Sequence, residues 1–302
     1  MPKYSTAFGM DVHLRSTTVC ALDADTGEAV TRRFPGNPWG EYRLGHPGGV
    51  VPVVLGGRVG AYDGAAARLA TAKQRLLAFL AKRGFVYGGT TPAGNPRKYW
   101  TYDFLRWLDK VRPEDDGGVR TLAALRNEVE AAAEARADLL SEYRAAVDAS
   151  PIAAEVAALQ SIKGCAFALA AAFSAEVGDF TRFRSGRQVT AYFGLAPSQR
   201  SSGDSVRLGG ISGAGNALVR KLAVEGSWCY AAARHQPKLM PRDTGVPLEI
   251  RMHGRKGSER LLRRREEMLA RGMPAAKANA ATAAELVRWL WALGMMCREG
   301  AE

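Results

Sequence analysis

Apolar and polar positions change period along the chain, and the changes mark its parts. Between residues 5 and 34 three short runs, Thr6 to Val12, Thr17 to Leu22 and Ala29 to Phe34, are separated by turn chemistry that includes Asp23-Ala24-Asp25-Thr26-Gly27-Glu28. Runs of that length bounded by Asp and Gly predict the strands of a β-meander. The pattern then breaks. Residues 35–60 carry Gly36, Pro38, Gly40, Gly45, Pro47, Gly48 and Gly49, which reads as irregular chain. Val50 to Leu55 is apolar enough for one more strand, which Pro52 would confine to an edge.

From Ala65 to about Arg83 the period becomes helical, with Leu69, Ala72, Leu76 and Phe79 at steps of three and four and Lys73, Arg75 and Lys82 off that line. A turn-rich stretch, Gly84 to Arg97, precedes an aromatic helix from Tyr99 to Leu108. A longer helix, about Val119 to Asp148, sets Leu122, Leu125, Val129, Ala132, Leu139 and Tyr143 in an a/d-like seam interrupted by Arg136. The two long helices are expected to pair as a coiled-coil arm, or else to lie as a helical hairpin on a core. From Pro151 onward everything except residues 196–213 reads as helix, ending in Ala275 to Met296 with Trp289 and Trp291.

Charge narrows the partners. The 302 residues hold 42 Lys+Arg against 30 Asp+Glu, a net +12, which favours a polyanion, with nucleic acid the leading candidate. No apolar run is long enough to cross a bilayer, and the first residues show no signal-peptide core, so a cytoplasmic protein is expected. Cys20, Cys165, Cys229 and Cys297 lie far apart, and His13, His46, His235 and His253 are scattered. Neither a structural zinc nor a disulfide framework fits.

Two constellations could carry chemistry. In Gly9-Met10-Asp11-Val12-His13 an acid ends the first strand, where a carboxylate can hold a divalent metal against a phosphate, although a lone Asp also serves as a strand-end residue. The second is Gly194-Leu195-Ala196-Pro197-Ser198-Gln199-Arg200-Ser201-Ser202-Gly203, followed by Arg207, Gly209-Gly210-Ile211-Ser212-Gly213-Ala214-Gly215-Asn216 and a helix with Arg220 and Lys221. Glycines let backbone approach a phosphate, a helix start offers free N–H groups, and arginines grip a phosphodiester. A serine there could attack phosphorus, given a base or metal. The plain alternative is a hydrophilic turn-rich loop.

Further basic stretches hold Arg182, Arg184 and Arg187, then Arg255, Lys256, Arg260, Arg263, Arg264 and Arg265. These suit phosphate contacts or a solvated helix face interleaved with Glu259, Glu266 and Glu267. Ser161-Ile162-Lys163-Gly164-Cys165 is a tight turn that either offers main-chain N–H groups to a duplex backbone or joins two packed helices.

The ordered series of motifs resembles one family. Ser161-Ile162-Lys163-Gly164, Ala175 to Phe180 with Arg182-Phe183, Ala191-Tyr192-Phe193-Gly194-Leu195-Ala196-Pro197, Ser202-Gly203, Gly215-Asn216, Arg220, Ala283-Ala284-Glu285-Leu286 and Trp291-Ala292 follow its second half. Residues 67–108 resemble its connector and Gly9 to His13 its opening strand. The family is that of insertion-sequence transposases with a DEDD RuvC-like N-terminal domain, a coiled-coil connector and a C-terminal serine transposase domain, which are bridge-RNA-guided recombinases.

The resemblance implies an α+β fold: a truncated RNase H-like β-meander over residues 1–64, a coiled-coil helical arm over 65–150 and a mainly α-helical C-terminal domain over 151–302. It makes Ser202 the nucleophile, with Ser201 as the neighbouring alternative, and Asp11 the first metal-binding acid, with Mg2+ as cofactor. Nucleic-acid binding falls to Arg200, Arg207, Arg220, Lys221, Arg182, Arg263 and Arg264. Partners implied are double-stranded DNA, a structured non-coding RNA and further copies of the chain through the arm.

The departure is equally specific. Where the family carries its remaining acids, residues 35–64 offer only Glu41 and Asp63. The expectation is an internally deleted transposase, impaired in cleavage. Its rivals are a non-catalytic DNA- and RNA-binding remnant that oligomerises with full-length relatives, and a structural helical protein with an incidental basic surface.

Overall fold

The structure, a computed structural model, describes residues 6–13, 16–23, 29–35, 51–202, 205–231, 239–241 and 244–299. For 6–13, 16–23, 29–35, 51–58, 199–202, 205–208 and 299 the description is of backbone alone. Contacts divide the chain into two compact units, Met1–Val54 and Leu55–Glu302. Residues 65–150 and 151–302 therefore share one unit.

In the first unit β1 (Thr6–His13), β2 (Ser16–Asp23) and β3 (Ala29–Pro35) form an antiparallel sheet in the order β1-β2-β3. This is the meander that the alternating runs predict. Asp11 pairs with Thr18 and His13 with Ser16. Among the described residues no further strand joins this sheet.

The expected edge strand at residues 50–55 is not formed. Helix α1 spans Val51–Lys82, beginning well before Ala65. Pro52 explains the change: in the first helical turn its missing N–H would have had no intrahelical partner, so the residue that demotes a strand is tolerated at a helix start. The expectation that residues 51–60 are irregular is corrected with it, while residues 36–50 lie outside the described ones.

Helix α2 (Tyr102–Leu108) is capped by Thr101, whose hydroxyl accepts from the Phe104 amide, and α3 (Asp116–Asp148) by Asp115, which accepts from Gly118. Both are oxygen-bearing N-caps of the ordinary kind. Helices α1 and α3 run antiparallel: Arg83 pairs with Asp115, Arg75 with Glu128 at 2.6 Å, and Arg136 donates to the Tyr62 hydroxyl at 2.6 Å. The seam positions Leu122 and Tyr143 are buried and Leu125, Val129, Ala132 and Leu139 half-buried, so the apolar stripe does face a partner. For Leu122, Leu125 and Val129 that partner includes Leu76 and Leu80 of α1, whereas Tyr143 packs against Phe167. Phe79 is half-buried on α1 and Leu80 takes the core position. Leu76, Leu80, Tyr87, Phe104, Leu108, Val111 and Leu122 make the core at the α2 end, each large side chain contributing roughly 1.5–3 kcal/mol by burial.

The remaining helices are α4 (Ala153–Leu159), α5 (Phe167–Val177), α6 (Gly186–Tyr192), α7 (Ala217–Ser227), α8 (Leu248–Ala270) and α9 (Ala275–Glu299). Helix α9 is the centre of this layer, packing on α4, α6, α7 and α8. Its Ala278, Ala283, Leu286, Val287, Leu290 and Leu293 are buried, and α5 is buried nearly all round. A one-turn 3-10 helix, Phe180–Arg182, places Phe180 against Phe173 and against α9, where a Cβ on Gly294 would lie 2.0 Å from its ring. Among the described residues no helix is long and apolar enough to cross a membrane.

The tight turn Ser161 to Gly164 takes its helix-packing reading. Ser161 and Ile162 are buried, the Lys163 amide donates to Ser258 Oγ at 2.9 Å, and the Tyr230 hydroxyl donates to the Lys163 carbonyl. Those main-chain groups are spent inside the fold. Cys165, Cys229 and Cys297 are free thiols, and burial pushes the Cys165 thiol up.

Candidate nucleic-acid interface

The hydroxyl- and glycine-rich stretch expected as a loop is a β-hairpin. Strands β4 (Pro197–Ser202) and β5 (Ser205–Ile211) pair antiparallel, with Arg200 opposite Arg207, Ser201 opposite Val206 and Ser202 opposite Ser205. The sequence held the signal: Gly203-Asp204 is a two-residue connection of hairpin composition. Direct partners, and residues two apart on one strand, share a face of a ladder. The register thus sets Ser202 and Ser205 on the face of Arg200 and Arg207, and Ser201 on the other with Val206.

The root of the hairpin is held by backbone. Ser212 donates to the Ala196 carbonyl at 2.8 Å and Gly213 to Gly194 at 3.0 Å. Gly194 (φ 68°) and Gly215 (φ 73°) make closer approaches than any side chain would allow: a Cβ would fall 2.0 Å from the Ala214 oxygen in the first case and 1.8 Å from the Tyr192 oxygen in the second. Arg220 adds a clasp, one Nη donating to the carbonyls of Phe193 (3.2 Å) and Ala214 (2.8 Å).

A carboxylate organises the same root. Glu176 at the end of α5 accepts from the Tyr192 hydroxyl and from the Asn216 amide, both at 2.8 Å, while Asn216 Oδ1 caps α7 by accepting from Leu218 and Val219. Burial raises the Tyr192 phenol above its ordinary value, with Glu176 adding to the rise and Arg182 opposing it. The Arg182 guanidinium lies over the rings of Phe183 and Tyr192, at 4.6 and 4.7 Å. Glu176, Tyr192 and Asn216 stood in the motif series without a role. Their spacing of 16 and 24 residues gives no local signal for a three-residue hydrogen-bond set.

Beside the root, α8 and α9 carry an arginine-lined surface. Glu285 uses one oxygen for Arg260 Nε (2.6 Å) and the other for Arg264 Nε (2.8 Å). Arg288 Nε donates to Thr190 Oγ1 at 3.2 Å. Two clefts of about 380 Å³ each share Arg264, Glu285 and Arg288: one is lined also by Leu195, Pro197, Gly209, Gly210, Ile211 and Lys277, the other by His253, Arg260 and Trp289.

The predicted cations are dispersed over this frame. Arg263 is exposed, 3.8 Å from Glu267, and Lys221 forms a 2.6 Å ion pair with Asp63 of α1. Arg265 and Arg251 are buried, so those two do not belong to a solvated basic face. The side chains of Arg200, Ser201, Ser202, Arg207 and Asp11 lie outside the described ones. Lys277 and Arg288 were not singled out from the sequence. The signal was the i, i+3, i+4 spacing of Glu285, Arg288 and Trp289, which sets one charged and aromatic stripe on an otherwise apolar helix.

Residues 156–242, from α4 through the hairpin and α7, match the family model described as Transposase IS116/IS110/IS902 family. The chain is similar to these transposases. A Sinorhizobium fredii protein named "Putative transposase y4qE" is 32% identical over 235 residues, 76% of this chain and 54% of that protein. The "Transposase for insertion sequence element IS1111A" of Coxiella burnetii is 37% identical over 116 residues, 38% of this chain and 30% of its own length. The chain thus spans about half or less of the length of these curated relatives. The match to the IS116/IS110/IS902 model covers the clasped hairpin root: Glu176, Tyr192, Gly194, Gly215, Asn216 and Arg220 all fall inside it.

A magnesium ion needs several converging oxygens. Among the described residues no group of three or more Asp, Glu, His or Cys could hold a metal, and the Asp63 carboxylate is engaged by Lys221. The Asp11 carboxylate and Glu41 lie outside the described side chains.

Proposed function

We propose that this chain is a nucleic-acid-binding protein of the IS116/IS110/IS902 transposase type, built for DNA strand exchange at Ser202 but impaired in cleavage. The observation that carries the reading is the hairpin register. It groups Ser202 with Arg200 and Arg207 on one face of a ladder whose root is clasped by Arg220 and by two glycine close approaches. Like charges directly opposite each other disfavour a bare hairpin, and an anion between two guanidinium groups reverses that sign. A phosphodiester is such an anion. The register also favours Ser202 over Ser201 as nucleophile, because Ser201 belongs to the other face.

A serine hydroxyl needs a base or a metal to take its proton before it attacks phosphorus. Asp11 stands on β1 as a single strand acid, and helix α1 begins at Val51, inside the segment where the further acids were expected. That arrangement favours binding without efficient cleavage. By the family resemblance the bound partners are double-stranded DNA and a structured RNA, with further copies of the chain joined through the α1–α3 arm.

The test is a denaturing-gel assay for a covalent protein–DNA adduct with element-end DNA, RNA from the element's flank and Mg2+, run beside Ser202→Ala. The expected result is no Ser202-dependent adduct, with DNA binding equal in both proteins. An adduct that vanishes in Ser202→Ala would overturn the impairment. Absence of DNA binding by both proteins would overturn the reading altogether.

A further inference from the structure

The cleft between α8 and α9 joins two kinds of chemistry. On α8, His253, Gly257, Arg260 and Arg264 recur at helical spacing on one side, and Glu285, Arg288 and Trp289 do so on α9. Gly257 has no side chain where the indole lies: a Cβ there would be 2.8 Å from two Trp289 ring carbons. The imidazole of His253 packs 4.8 Å from the indole, centroid to centroid. Both rings still line the cleft, and Trp289 is only half-buried.

The three arginines are held in one manner. Arg260 donates from Nε to Glu285 and Arg288 from Nε to Thr190, while Arg264 forms an ion pair through Nε with the other Glu285 oxygen. Anchoring a guanidinium by Nε leaves its terminal Nη groups as the donors, already oriented, that form a bidentate fork with a phosphate. Arg260 and Arg264 side chains are half exposed, at 50% and 51%, whereas Glu285 is at 11%. Three cations set against one buried carboxylate leave the cleft positive.

Building on the nucleic-acid reading above, we propose that this cleft binds a single-stranded nucleic-acid segment, an unpaired base lying on Trp289 and its phosphate held by Arg260, Arg264 and Arg288. A duplex hides its base faces in its own stack, so an indole can add nothing to it. An unpaired base presents a free π-face, and stacking of this kind tolerates any sequence. The second cleft continues from Arg264 and Arg288 to Pro197 and Gly209–Ile211 at the hairpin root. A strand held on Trp289 therefore leads toward the hairpin that carries Ser202.

The experiment measures binding of the full chain to a fluorescein-labelled ten-nucleotide dT strand, an rU strand of the same length and a mixed-sequence DNA duplex. Trp289→Leu is expected to weaken single-strand binding about tenfold or more and duplex binding by less than about twofold. Because Trp289 also packs on Gly257 of α8, Arg288→Gln serves as the variant that spares the α8–α9 packing, losing instead its bond to Thr190 of α6. It is expected to weaken single-strand binding and lower its salt slope by about 0.7. The dT and rU arms show which strand the cleft prefers, and a response of either one to both variants supports the proposal. Duplex binding that persists while neither variant changes single-strand affinity, or variants that lower both affinities equally, would overturn the cleft and leave the nucleic-acid reading standing. Absence of binding to all three probes would overturn both.

Discussion

Three glycines near the hairpin allow the clasp at its root to be dissected. Gly215 has φ 73° and a Cβ there would sit 1.8 Å from the Tyr192 carbonyl oxygen; Gly213 has φ 71° with nothing within 4 Å; Gly210 has open space and no positive φ. Alanine at Gly213 then carries only the left-handed backbone penalty, about 1–2 kcal/mol. Alanine at Gly215 carries the same penalty plus an overlap. Contacts under 3.0 Å are essentially never seen for a Cβ, so the two backbones must separate by at least 3.0 − 1.8 = 1.2 Å. Overpacking of that kind costs about 1–3 kcal/mol, which brings Gly215→Ala to about 2–5 kcal/mol. Gly210→Ala is expected to fall within about 0.5 kcal/mol of wild type. Urea unfolding of the full chain, followed by tryptophan fluorescence, orders the three by midpoint at constant slope. Equal midpoints for Gly215→Ala and Gly213→Ala would refute the close approach, and a loss at Gly210 as large as at Gly213 would refute the argument from φ.

Arg298 ties the end of α9 to Glu155 (3.0 Å), Asp179 (2.9 Å) and the Gly178 carbonyl (2.7 Å). Burial raises the Glu155 carboxyl and Arg298 opposes the rise, so Arg298→Ala leaves a buried carboxylate uncompensated, at about 2–3 kcal/mol near pH 7, below the full buried-pair value because Arg298 is partly exposed. An acid whose folded pKa lies above its unfolded one loses stability as pH rises through that interval, so the defect shrinks on acidification toward pH ~5; a deficit that grows on acidification refutes it. Burial, helped by Lys256, lowers the His253 imidazole below its ordinary value. Its NMR titration midpoint is expected below that of an exposed histidine, about 6.5, with stability falling as pH drops through the ordinary imidazole range because the unfolded chain takes up the proton first. A midpoint above 6.5 would contradict its placement against Trp289.

The sequence told most where a single element was periodic and least where partners come from afar. The strands over residues 6–35 and the seam of α3 were legible because alternation and the 3.6 repeat are local properties. Helix α1 was missed over residues 51–64 because Pro52 and four glycines speak against both helix and strand, and only position within the first turn resolves the proline. The hairpin at 197–211 was obscured by its serines and glycines, although its two-residue connection was there to read. Ser202 and the flanking arginines could be named from spacing and resemblance, but not sorted by face, since that needs the register. Glu176, Tyr192 and Asn216 meet only through the packing of α5, α6 and α7, and Arg260, Arg264 and Glu285 only through that of α8 and α9, which no local pattern encodes.

The proposal that this chain binds a polyanion rests on its net positive charge and on Arg260, Arg264 and Arg288 at the α8–α9 cleft, and its most direct test is the salt dependence of duplex DNA binding by the full chain. Each phosphate neutralised contributes about −0.9 to the slope of log K against log salt. At least three contacts, and so a slope of about −2.7 or steeper, are the predicted result, whereas a slope near zero would mean that the positive surface is incidental and would contradict the account.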